Sequence, residues 1–293
     1  MHMGSTVYTA PFYVLGAGIC WGLIGLFSRH LAELGYSSVQ ITFGRTLVTA
    51  LVMVIFMARY HWQDLQIEKR DIWMFLGTGL CSIVFFNICY FTAIELTTLS
   101  VAAILLYTAP SIVMILSVLL FKERFTPRKA VCLVLAFIGC AFVSGIGTGA
   151  VNFVGILAGL GSGLGYALYS IFGRYALRKY TPLTVTTWTF MIATLGLLGF
   201  CHVGIMAETA VLHPLALVWL MLLGVVSTTV PFVLYTQGLQ HMEAGKASII
   251  ASIEPLTSTV IGVAVFQEQL TILGGVGMLC IIGAVVLLNQ GTS

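Results

Sequence analysis

Charge is what this sequence has least of. Asp, Glu, Lys and Arg make up 8% of its 293 residues, ten acidic and thirteen basic, where a soluble domain carries roughly a quarter. That scarcity, with a mean hydropathy of +1.04, excludes an ordinary water-soluble globule and makes lipid the expected solvent. Paired cysteines are missing too. Cys20, Cys81, Cys89, Cys132, Cys140, Cys201 and Cys280 all fall inside apolar runs with no CxxC spacing, and His30, His61, His202, His213 and His241 are scattered near the ends of those runs. A disulfide framework and a zinc site are therefore not expected. The glycine-rich stretches 16–22 and 155–165 lack a following Gly-Lys-Ser/Thr, so they are not phosphate loops; their small-xxx-small spacing suits close helix packing. No cofactor is called for, and no nucleophile or metal cluster supports a membrane-embedded enzyme.

What the chain does have is uncharged length. A membrane-spanning helix needs about 20 apolar residues, and windows of that size occur at 9–27, 38–58, 72–94, 100–121, 130–146, 153–172, 183–203, 215–239, 247–266 and 270–288. The expected fold is all-α, with ten transmembrane helices. The first run is followed by further spans and lacks a small-residue cleavage site, so it reads as a helix of the mature chain rather than a removable signal. Placement of Lys and Arg orients such a chain. From a cytoplasmic N-terminus, the cytoplasmic connections hold Arg59, Lys69, Arg70, Lys122, Arg124, Arg128, Lys129, Arg174, Arg178, Lys179 and Lys246, the outer ones only Arg29, and Arg45 lies within a span. Both termini are thus expected in the cytoplasm of a bacterial-type plasma membrane, and the basic clusters are topology signals rather than a nucleic-acid surface.

The sequence repeats itself with a fixed offset of 145 and no gap. Phe27 matches Phe172, Arg29 matches Arg174, Thr42 matches Thr187, Gly79 matches Gly224, Ser82 matches Ser227, Tyr90 matches Tyr235, Pro110 matches Pro255, Phe121 matches Phe266 and Glu123 matches Glu268. Composition bias explains some apolar coincidences; Pro, Glu, Arg and Tyr carry the weight. Two five-helix units are expected, 1–148 and 149–293. Because five is odd, the second enters the membrane the opposite way up.

The two Pro-x12-Glu blocks (Pro110 to Glu123, Pro255 to Glu268), the stretch from Trp21 to Arg45 with Arg29, and the run from Asn87 to Ile104 resemble the drug/metabolite transporter superfamily, and within it the EamA-type ten-helix carriers. The resemblance covers nearly the whole chain and implies alternating access at a cavity between the halves, usually for export. It leaves the solute open.

Glu254 is the most informative single residue. It lies about 11 Å into the ninth run, where a charge costs roughly 2.5 to 3.5 kcal/mol on insertion scales, and its repeat mate is Ala109. Either it holds a substrate ammonium or exchanges a proton as the cavity alternates, or it forms a fixed ion pair with Arg45 or a bond to a backbone carbonyl. Arg45 either binds a substrate carboxylate or snorkels to the outer surface. Pro110 and Pro255 each remove a backbone hydrogen bond and are candidate hinges. Asn87, Tyr90, Tyr107, Trp188, Tyr235 and Gln237 put polar groups inside spans, where an unpaired one is destabilising, and Trp21, Tyr166 and Tyr169 add rings suited to stacking or cation–π contact. Each is a candidate cavity residue or an interhelical contact. Glu123 and Glu268, at span ends, read as capping or tethering groups.

The function expected is a secondary transporter of a small amino-acid-like metabolite, with protons or the solute's own gradient as the drive, working as a monomer or weak homodimer. A carrier of organic cations or drugs is the alternative.

Overall fold

In this computed structural model the structure describes residues 3–145 and 152–289. Helices and short turns account for all of them, with no strand among the described residues. The expected unit boundary at 148/149 and the end of the fifth expected span at 146 lie outside the described residues.

Among the described residues, nine helices are long and apolar enough to cross a membrane: α1 (Thr9–Glu33), α2 (Ser38–Tyr60), α3 (Lys69–Leu96), α4 (Leu99–Phe121), α5 (Pro127–Ser144), α6 (Phe153–Ala176), α9 (Leu215–His241), α10 (Ala244–Phe266) and α11 (Ile272–Asn289). The seventh expected span is shorter than expected. Helix α7 (Pro182–Leu197) ends early, and α8 (Val203–Leu212) is a separate helix with no buried residue. The sequence expectation of one helix over 183–203 is corrected here. The chain turns at 198–202, where His202 takes the left-handed conformation (φ 47°), so the last residues of the expected span lie outside the helix. At 16 residues α7 is about 24 Å long, the shortest of the ten crossings.

Capping residues set where several helices begin. Ser37 and Gln40 form a reciprocal capping box on α2, and Asn152, Thr126 and Thr181 each accept from the first turn of α6, α5 and α7, the last two followed by a proline at the first helical position.

The duplication is visible in the backbone. Lys122 and Gln267, 145 residues apart, both end their helices in the left-handed region at φ 56°, followed by equivalent bonds from Glu123 N to Ser117 O and Glu268 N to Gly262 O. Thr126 caps α5 and Thr271 caps α11 through equivalent amides, those of Lys129 and Gly274. Both α3 and α9 widen into π turns at equivalent places, Gly77–Val84 and Val225–Thr229. In α9 the Thr228 and Thr229 hydroxyls reach back five residues to Leu223 O and Gly224 O, which supports the wider turn.

Packing follows the same symmetry. α1 lies along α9 and α3 along α6; α2 packs on α7, α4 on α10 and α5 on α11. Exchanging the two sets of five crossings maps these pairs onto themselves, so the sets interlock rather than sit side by side.

Among the described residues α1 is interrupted at Leu23, and two further helices are broken just ahead of a proline. α4 is interrupted at Tyr107–Thr108 before Pro110, and α10 at Ser252–Ile253 before Pro255. Proline has no N–H, so the carbonyls of Leu106 and Ala251 lose their usual helical donors. Each faces a repeat-related glycine on the crossing helix. A Cβ on Gly163 would lie 3.3 Å from Leu106 O and 2.6 Å from Thr108 Oγ1, and one on Gly18 would lie 3.2 Å from Ala251 O. Gly163→Ala is therefore expected to destabilise the protein by about 1 to 3 kcal/mol. Gly275→Ala, with nothing within 4 Å, should be neutral or slightly stabilising. Thermal unfolding in detergent compares the two; equal melting temperatures would refute the close-approach account.

Candidate functional site

The breaks in α4 and α10 face a cavity of about 370 Å³ bounded by α1, α2, α3, α4, α6, α9 and α10. Of the residues singled out from the sequence, Glu254, Arg45, Trp21, Asn87, Tyr90, Tyr107, Tyr166, Tyr169 and Tyr235 all line it. The break in α10 makes Glu254 the first residue of the helix Glu254–Phe266. There the helix dipole favours a negative group.

Two of the sequence candidates are placed elsewhere. The Trp188 indole donates to Leu65 O at 2.9 Å and packs beside Phe75, anchoring the α2–α3 connection. Gln237 is two residues beyond Tyr235 on α9, about 200° around the helix, and is absent from the cavity wall. Pro110 borders a smaller recess behind Glu254 with Tyr107, Tyr166 and Ser252, while Pro255 is buried in the packing of α10.

Arg45 and Glu254 are the only charged side chains among the described residues lining the cavity. Arg45 is 7% exposed and its Nε has no hydrogen-bond partner among the described residues. Its charge acts on Glu254 through space; no ion pair joins them, and Tyr166 Oη donates to Glu254 Oε2 at 3.3 Å. The fixed Arg45–Glu254 pair and the snorkelling arginine, both open from the sequence, are not what the structure shows: Arg45 is part of the cavity wall, with its Nε buried and unpartnered among the described residues.

Aromatic rings form the inner end of the cavity. Trp21 meets Phe232 edge-on at 5.1 Å and Tyr235 at 5.2 Å, and Tyr169 meets Phe232 at 5.0 Å. Hydroxyl pairs fix their orientation: Tyr169 with Thr236 at 2.9 Å and Tyr235 with Ser170 at 2.7 Å. Higher up, Phe86 stacks with Tyr90 and takes Tyr166 edge-on. Asn87 is tied down by its bond to Ile83 O and by Thr42. The sequence did not single out Ser28, Ser38, Ser82, Ser170 or Ser258 as cavity residues, nor Phe86, Phe91 and Phe232. Their only signal was position on the faces already marked by Trp21, Asn87 and Glu254.

The cavity opens at one end. Its lining includes the exposed Ser38 and Leu99, so it reaches the end of the bundle carrying the α1–α2 and α3–α4 turns. The opposite end is shut by bonds to the α9–α10 connection. Arg174 Nη1 donates to Leu239 O and Met242 O at 2.5 and 2.7 Å, and Glu123 accepts from Ala244 N and Gly245 N at 2.9 and 3.3 Å. Lys129, 3% exposed, reaches Glu243 at 2.7 Å and Arg124 O at 2.6 Å. Burial pushes the Glu243 carboxyl up, but its bonds to Lys129 and Lys246 more than offset this and hold it below the usual carboxylate range.

Relatives and solved structures agree with this architecture. The EamA-like transporter family matches twice, over residues 9–145 and 153–290. The chain is 30% identical over 270 residues to an uncharacterized transporter of Archaeoglobus fulgidus, covering 90% of this chain and 92% of that protein. It is 25% identical over 293 residues to an uncharacterized inner membrane transporter of Salmonella typhimurium, covering 98% and 97%. A crystal structure sharing 17% identity superposes with a TM-score of 0.76 over 96% of this chain and 98% of the other, which shows a common fold. Ten helices in a duplicated arrangement around a polar cavity define a multi-pass membrane transporter. The chain belongs to the EamA-like transporter family, of the drug/metabolite transporter type.

Proposed function

We propose that this transporter is a secondary carrier that moves a small amino-acid-like metabolite by alternating access, in the direction of export. Arg45 carries the reading. A buried guanidinium with an unpartnered nitrogen, facing a carboxylate across about 370 Å³ of open space, is a poor structural element, because a buried charge without bonds is destabilising. It is a good receptor for a carboxylate, which its planar fork can hold by two bonds. Glu254 with Tyr166 then receives the ammonium group, or a proton when the solute is absent, and the aromatic end takes an apolar side chain. The volume falls within the range of small-molecule sites, about 300 to 1,000 Å³. Asn87, Tyr90 and Tyr107 supply further polar contacts.

The units 1–148 and 149–293 exchange conformations, with the breaks at Pro110 and Pro255 as hinges. With both termini cytoplasmic, the opening beside Ser38 faces the exterior of a bacterial-type plasma membrane. The carrier works as a monomer or weak homodimer.

A carrier of organic cations is the second reading, favoured by the rings of Trp21, Tyr90 and Tyr166 near Glu254. The deciding experiment uses proteoliposomes preloaded with one solute and measures saturable counterflow of labelled amino acids and labelled amines. Counterflow of amino acids supports the proposal. Counterflow of amines alone overturns it in favour of the second reading, and an unsaturable conductance would replace the carrier by a channel.

A further inference from the structure

The two ends of the bundle carry the same pair of repeat-related side chains, an arginine and a glutamate, in two different arrangements. At the closed end, Arg174 and Glu123 do not pair with each other; each bonds to backbone of the α9–α10 connection. At the open end, their mates 145 residues away, Arg29 and Glu268, pair directly at 2.6 Å and are about half exposed. Local backbone does not explain the difference. Glu123 and Glu268 follow left-handed residues with the same φ of 56° and make equivalent amide bonds.

The repeat offset identifies what the open-end pair would bond if that end closed in the same way. Leu239 and Met242 correspond to Ile94 and Thr97, and Ala244 and Gly245 correspond to Leu99 and Ser100. Leu99 and Ser100 begin the first helix of α4 behind the Thr98 cap, whose hydroxyl accepts from Val101 N. Their own amides are therefore first-turn groups with no helical acceptor. Leu99 also lines the mouth of the cavity.

We propose that these four residues are one latch with two settings. When the open end closes, Arg29 leaves Glu268 and bonds the carbonyls of Ile94 and Thr97, while Glu268 bonds the amides of Leu99 and Ser100. At the other end Arg174 and Glu123 release the α9–α10 connection and pair with each other. Each end thus keeps its charges bonded in both settings. Opening one end then releases no bare ion, and the exchange avoids the desolvation penalty of unpaired charge. The latch rests on the alternating-access reading but does not depend on which solute is carried.

Hydrogen–deuterium exchange of the full-length protein, without solute, tests it at peptides covering 97–101 and 242–246. Glu123→Gln removes the charge that holds the Ala244 and Gly245 amides in the setting seen here, and costs the other setting only an ion pair as exposed as Arg29–Glu268 is now, which contributes little, so the population should move toward the other. Exchange at 242–246 should rise and exchange at 97–101 should slow, by roughly tenfold, the worth of one charge-assisted hydrogen bond. Arg29→Gln costs the setting seen here only a half-exposed ion pair but costs the other setting its bonds to the Ile94 and Thr97 carbonyls, so it should do the reverse, speeding 97–101 and slowing 242–246. It also serves as the second variant should Glu123→Gln fail to fold. A residue that merely braces its own end would change only its own peptide, and that outcome overturns the latch. If each variant is local but Glu254→Gln or added solute shifts protection from one peptide to the other, alternating access stands and the latch is wrong. If no perturbation couples the two peptides, both fall.

Discussion

Glu254→Gln is expected to lower solute counterflow by about two orders of magnitude while the protein still folds. The substitution keeps the shape and leaves the Tyr166 hydroxyl, 3.3 Å away, an acceptor. What it removes is the one negative charge among the described residues lining the cavity. A charge-assisted bond to a desolvated ammonium contributes about 2 to 3 kcal/mol, roughly a factor of 30 to 150 in binding. The same variant removes the one cavity carboxyl that could take up a proton, so transport that varies with pH in the parent should become flat. Stability should change little: losing the carboxylate removes a desolvated ion but also the charge acting on Arg45. Rates in proteoliposomes at several pH values, with melting curves of the same preparations, check all three points. Full activity in Glu254→Gln would remove this residue from the site.

Arg45→Gln should divide substrates by charge. Solutes bearing a carboxylate lose their partner, and truncating one member of a buried charge pair commonly costs about 2 to 5 kcal/mol, so their kcat/KM should fall by about 30-fold or more. Amines without a carboxylate should be carried as well as before, or better, because the cationic side chain that repels them is gone. Arg45→Lys should recover only part of the loss, since an ammonium cannot present the two parallel donors of a guanidinium. The melting temperature of Arg45→Gln should hold or rise, because Nε has no partner among the described residues to lose. Equal losses for amines and amino acids would show that Arg45 supports the wall and not the ligand.

Much of the fold could be derived from the amino-acid sequence, for a physical reason: spanning a bilayer requires apolar length, and that requirement is written residue by residue. The repeat could be read as well, because a rare residue such as Pro110 or Glu123 recurring at one offset is hard to obtain by chance. The early end of the seventh crossing could not. The run stays apolar through Cys201, and what ends α7 at Leu197 is a change of backbone direction at 198–202, which hydropathy does not encode.

The cavity was legible through its expensive residues and illegible through its cheap ones. A carboxylate or a tyrosine within a span needs a polar neighbour, so Glu254 and Tyr235 announced themselves. Serine does not, because its hydroxyl can bond a carbonyl of its own helix, and the serines of the wall passed as ordinary helix residues. Trp188 erred in the other direction: an indole that bonds a loop carbonyl has the same sequence signature as one that meets a ligand. The differing arrangements of Glu123 and Glu268 lay beyond sequence altogether, since the repeat makes them equivalent and only conformation tells them apart.

The Lys129–Glu243 bridge has no twin. The corresponding positions at the other end are Gly274 and Thr98, so the two faces of this near-symmetrical protein are held shut with unequal strength. An empty carrier would then dwell on the side where we find it, and its unladen return would set the pace of each cycle. One-for-one swapping of solute, which skips that return, should outrun net flow.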